Sequence, residues 1–170
     1  MTPADVWLRV GVVTALASAS LVTLSPARPE LQVTPVVAVV GGAIAGLALF
    51  SAVARRRPRL VPRTVALRLL IARWVILALL AANEELIWRR ALLGECLRAG
   101  SAAALAGSTL AFALAHRSRP GLHLGTGAAF GGLYLGTGVV TASIAAHWIY
   151  NVLLSIGGEP DLASGRAAAS

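Results

Sequence analysis

Residues 79–90 read Leu-Leu-Ala-Ala-Asn-Glu-Glu-Leu-Ile-Trp-Arg-Arg, so two adjacent carboxylates and two arginines interrupt a run otherwise long and apolar enough to cross a bilayer. A charged side chain near the middle of a membrane helix costs roughly 2.5–3.5 kcal/mol on insertion scales, which makes such residues functional-site candidates whose partners should be nameable. Residues four apart share a helical face, and this sets Glu85 beside Arg89 as an ion pair within one helix. Glu84 has Trp88 in that position, on a face rotated by about 100°. Whatever satisfies Glu84 must therefore come from another helix.

The composition agrees with a chain that lives in lipid. Of 170 residues 57% are apolar and only 13% charged, against about 25% charged in soluble domains, and the mean hydropathy is +0.77. The expectation is an all-α, polytopic transmembrane bundle of about six spans with short loops and no extramembrane domain. A net charge of +8 could suggest nucleic acid, but its location argues otherwise. Arg55, Arg56, Arg57, Arg59, Arg63, Arg68 and Arg73 carry +7 with no acid among them, and the other eight arginines and seven acids leave +1. One basic patch beside a span is an orientation signal and a contact for anionic membrane lipids. Nucleic acid is not an expected partner. The absence of lysine and the abundance of alanine resemble the codon bias of a high-GC bacterium. A single cysteine, Cys96, excludes an internal disulfide and a multi-cysteine metal site.

In order along the chain, residues 6–24 form the first expected span, ended by Ser25-Pro26 and Pro29. A signal peptide is the rival reading, since Ala17-Ser18-Ala19 resembles a cleavage site, but the apolar run continues past it. The second span covers residues 33–54, with Gly42 and Gly46 at the spacing that lets helices approach closely. The basic turn at residues 55–63 belongs in the cytoplasm. A long third span runs from residue 64 to 93, and residues 94–100 break it. The fourth span begins at Ser101 and ends at His116. The fifth covers residues 121–138, with Gly121/Gly125, Gly127/Gly131 and Gly132/Gly136 at four-residue spacing, and the sixth covers residues 140–156. The expected organisation is two N-terminal helices and a basic loop (residues 1–63), a core (64–157) and a disordered tail (158–170), in a multi-pass protein of the cell membrane.

His116, His147 and Asn151 are the polar side chains of the later spans that could meet Glu84. Phe112 and His116 share one face of their helix, and His147 and Asn151 share one face of theirs. A carboxylate, two imidazoles and a carboxamide at one interior point would give an intramembrane hydrolase a base for water and donors for an oxyanion.

These residues also carry a family resemblance. Residues 84–89 fit EExxxR, residues 112–116 fit FxxxH, and residues 147–151 fit HxxxN, in the order seen in the CPBP family of CAAX proteases and bacteriocin-processing enzymes, which includes lysostaphin-resistance-like proteins. The resemblance covers residues 68–156 and leaves the first two spans outside. Trp88 and Arg90 stand where family members more often have Phe and Gly. The resemblance implies a glutamate-type endopeptidase in which Glu84 and His116 activate water, His147 and Asn151 stabilise the oxyanion, and Glu85, Arg89 and Phe112 give structural support. It implies a peptide or membrane-protein substrate; a glutamate and a histidine can activate water without metal, so no cofactor is expected. Glu84, His116 and His147 would nonetheless make an acceptable His₂Glu zinc set, although there is no HExxH. The reading from another functional class is a non-proteolytic membrane scaffold or bacteriocin-immunity factor of the same fold.

Overall fold

The computed structural model describes residues 3–54, 67–116 and 118–157. The basic turn at residues 55–63, with the boundary between 63 and 64, and the expected disordered tail lie outside the described residues. Among the described residues there is no strand, and six long helices build an all-α bundle. They are α1 (Pro3–Thr23), α2 (Pro35–Ala54), α3 (Leu67–Glu85), α4 (Ser101–Ala115), α5 (Pro120–Thr137) and α6 (Val140–Gly157).

The third helix departs from expectation in a specific way. It passes at Glu85 into a π-helix, Leu86–Leu93, continues through a single α-turn at Gly94–Cys96, and closes with a 3₁₀ turn at Leu97–Ala99. Gly94 therefore does not break the helix. It is there for contact, because a Cβ at Gly94 would lie 2.7 Å from Cβ of Pro26 in the α1–α2 connection. The break falls at Gly100, whose φ of 99° is open to glycine and strained for other residues. Wide turns of the π type cost helical regularity and concentrate at functional sites; here the wide turn carries Arg89.

Apolarity is distributed inside-out. Val36, Val37, Val40 and Ile44 on α2, Leu8, Val12 and Leu16 on α1, and Ile71 and Val75 on α3 are exposed, while the interior holds Glu85, Arg89, Ser108 and Ser143. A soluble protein would not leave such a belt of large side chains uncovered. By length and hydropathy alone, Pro35–Val53 is able to cross a membrane, and Trp7–Thr23, Ser101–Ala115 and Val140–Ile156 are shorter apolar helices.

Small residues set the closest helix approach. Gly42 faces the backbone of Ala142 and the side chain of Ala145, and Gly46 faces the backbone of Ala146, so α2 and α6 run side by side in the same direction with no room for a Cβ at either glycine. Of the glycine pairs in α5, Gly127 abuts Phe112 and Thr109, and Gly131 abuts Leu105. Gly121, Gly125, Gly132 and Gly136 face open space, so one pair packs and two do not. Two apolar clusters complete the interior: Phe50, Phe130, Ala146 and Tyr150 in one, and Leu93, Ala104 and Tyr134 in the other. At the end of α5, Gly138 (φ 72°) closes the helix with its N–H on the carbonyl of Tyr134, and the carbonyl of Thr137 accepts from the N–H of Val33. The α1–α2 connection is thereby tied to the α5–α6 turn.

Candidate active site

The C-terminal part of α3 and the π-helix after it form the centre of the bundle, where Asn83, Glu84, Glu85 and Arg89 are all buried. Four polar residues in seven positions can be buried only if neighbours on several sides supply partners. The structure supplies them from α1, α4, α5 and α6.

Glu84 receives two partners from other helices. Its Oε2 lies 3.7 Å from Nε2 of His116 at the end of α4, and its Oε1 accepts a 3.0 Å hydrogen bond from Nη2 of Arg9 in α1. The other ring nitrogen of His116, Nδ1, is 2.8 Å from the carbonyl oxygen of Phe112. A carbonyl only accepts, so Nδ1 carries a proton there. In the neutral ring Nε2 then faces Glu84 as an acceptor. Two acceptors turned toward one another are an arrangement suited to holding a water molecule by both of its protons.

Glu85 is turned to a neighbouring face of the helix. Its carboxylate is fully buried and bridges two groups: Nδ1 of His147 at 2.8 Å and Nε of Arg89 at 3.1 Å. The His147 contact is a hydrogen bond, whereas the Arg89 contact is an ion pair whose N–H direction misses the carboxylate. Arg89 has no exposed surface; its Nη2 is 3.4 Å from the carbonyl of Gly127, and its guanidinium carbon lies 4.8 Å from the ring centre of Phe112 and 5.9 Å from that of Phe130. Phe130 also stacks on His147, with centroids 4.8 Å apart. The ring of His147 is thus clamped by a carboxylate at one nitrogen and an aromatic face on one side.

Of the residues expected at the site, Glu84 and His116 come together directly, and Glu85 and Arg89 form their ion pair. His147 makes its hydrogen bond with Glu85 and not with Glu84. Asn151, one turn along α6, is partly buried. Phe112 is buried, and its ring lies 4.4 Å from that of His116 and 5.8 Å from that of Trp88. Among the described residues, no group of three or more His, Cys, Asp and Glu side chains is disposed to hold a metal ion.

Two members were not singled out from the sequence. His123, in α5, stacks on His116 with centroids 4.5 Å apart and planes 26° from parallel. Its presence within an apolar, glycine-rich span was a usable signal. Arg9 was legible only as a charge near the start of the first span; no spacing rule ties position 9 to position 84.

Comparison with known proteins follows from this geometry. No curated protein and no solved structure matches the chain. A family model, Type II CAAX prenyl endopeptidase Rce1-like, matches residues 64–153, more than half of the chain. That segment holds the paired glutamates, Arg89, His116 and His147, and the inside-out distribution of apolar side chains is that of a membrane protein. The chain accordingly belongs to the Rce1-like family of type II CAAX prenyl endopeptidases, a family of membrane proteases.

Proposed function

We propose that this protein is an intramembrane endopeptidase, multi-pass in the cell membrane, that hydrolyses a peptide bond of a membrane-associated peptide or protein. The observation that carries the reading is the meeting of Glu84 Oε2 and His116 Nε2 across two helices, with the proton of the imidazole committed to Phe112 on its far side. A water held between two acceptors is polarised toward hydroxide. Its oxygen attacks the carbonyl carbon, one proton passes to the Glu84–His116 pair, and that proton is delivered to the departing amine nitrogen as the C–N bond breaks.

The tetrahedral oxyanion needs donors on its other side. His147, held at Nδ1 by Glu85, offers a second N–H at Nε2 in its charged form, and the Asn151 carboxamide lies one helical turn away. Glu85 fixes the orientation of His147 as the carboxylate of a catalytic triad fixes its histidine. These roles require no metal. The arginines within residues 55–73 carry the charge that a contact with anionic lipids at the cytoplasmic face would use.

The test compares membrane proteomes of cells carrying the wild type with those carrying Glu84→Gln, which keeps shape and removes the base. One precursor should accumulate, and its cleavage should return with the wild-type protein. An unchanged proteome, with any biological role intact, would instead favour the non-proteolytic scaffold.

A further inference from the structure

We infer that α1 is part of the catalytic unit and that Arg9 is a positioning residue for Glu84; this rests on the reading of Glu84 as the base. The family match begins at residue 64, yet the segment from α1 into its following connection is tied to the catalytic stretch at three successive points. Arg9 Nη2 donates to Glu84 Oε1 at 3.0 Å, Asn83 Nδ2 donates to Thr14 Oγ1 at 2.6 Å, and Arg90 Nη1 donates to the Pro26 carbonyl at 3.0 Å. Pro26 also closes over Gly94. Positions 9, 14 and 26 thus strap positions 84, 83 and 90.

The division of labour between the two carboxylate oxygens gives Arg9 its role. The terminal torsion of a glutamate is broad and roughly two-fold, so an unrestrained carboxylate does not hold one oxygen on a chosen target. Arg9 occupies Oε1, which leaves Oε2 turned to His116. Arg9 is poorly suited to be a mere stabiliser. Its side chain is 49% exposed, against 11% for that of Glu84, so it reaches the carboxylate from the rim of the bundle and fills no space in the interior. Its removal should therefore spare the fold and disturb the aim of Glu84, and misplacement of a reacting group by about 1 Å can cost on the order of 100-fold in rate.

The experiment uses the full chain, purified in detergent, with the precursor that accumulates in Glu84→Gln membranes as the probe. Arg9→Ala should lower kcat by about 10- to 100-fold with KM and thermal midpoint close to wild type. Arg9→Lys should recover part of the loss, and added guanidinium ion at non-denaturing concentration should partly rescue Arg9→Ala, which a structural role would not produce. Full activity of Arg9→Ala beside an inactive Glu84→Gln would overturn the role of Arg9 and leave Glu84 standing. A loss matched by a fall in folded protein, or seen in KM alone, would overturn it as well. Activity retained by Glu84→Gln, or no accumulating precursor, would remove the reading of Glu84 and this inference with it.

Discussion

Glu85 and His147, 62 positions apart in sequence, are joined by a 2.8 Å hydrogen bond between Oε1 and Nδ1 in the buried centre of the bundle. The bond gives the second glutamate of the pair two functions, since the same carboxylate neutralises Arg89 through its other oxygen. Removing Arg89 would leave Glu85 buried without its counter-charge, a change worth roughly 3–5 kcal/mol. Arg89→Ala should lower the yield of folded protein and the thermal midpoint along with activity. Normal folding with selective loss of turnover would place Arg89 in the chemistry.

Glu85→Gln separates orientation from charge. The amide keeps the shape and an acceptor oxygen but places no charge beside His147 and Arg89. Turnover should fall by about 100-fold or more, as when a triad carboxylate is neutralised, together with a loss of stability, because Arg89 is left buried without its counter-charge. Turnover within about twofold of wild type would show that His147 does not depend on Glu85.

The stack of His123 on His116 predicts a contrast between two variants. His123→Phe preserves an aromatic face 4.5 Å from the His116 ring and should keep most activity. His123→Ala removes the platform and should cost about tenfold, in line with the sensitivity of catalysis to position. Equal loss in both variants would point to a role for the His123 nitrogens.

At Gly46 a Cβ would meet the backbone of Ala146. Since backbone cannot be moved as cheaply as a side-chain tip, Gly46→Leu should destabilise the protein by about 1–3 kcal/mol or more. Gly125, which faces open space, is the control: Gly125→Ala should be tolerated. Thermal unfolding in detergent reads both.

Chelation tests the water-activating pair directly. Protein treated with a strong chelator should keep its turnover, and elemental analysis should find zinc well below one per chain. Stoichiometric zinc, with activity lost on chelation and restored by zinc, would make Glu84, His116 and His147 ligands and replace the proposed mechanism.

Sequence alone determined that the described residues form six long helices and where most of them end, because the long apolar runs are bounded by glycine, proline or arginine that lipid does not accommodate; the exception is Gly94, which the third helix runs through. It also determined the Glu85–Arg89 pair, which follows from i, i+4 geometry within one helix, and the need of Glu84 for a distant partner. Tertiary structure decided who the partners were. The π-helical stretch, Leu86–Leu93, has no marker in its composition, since a widened turn is imposed by packing around buried polar groups and not by local propensity. The attachment of His147 to Glu85 rather than Glu84, the stacking of His123 on His116, and the reach of Arg9 across to Glu84 are contacts between separate helices. Helical periodicity tells which residues share a face, but not the angle at which one helix turns that face to another, and it is this angle that assembled the site.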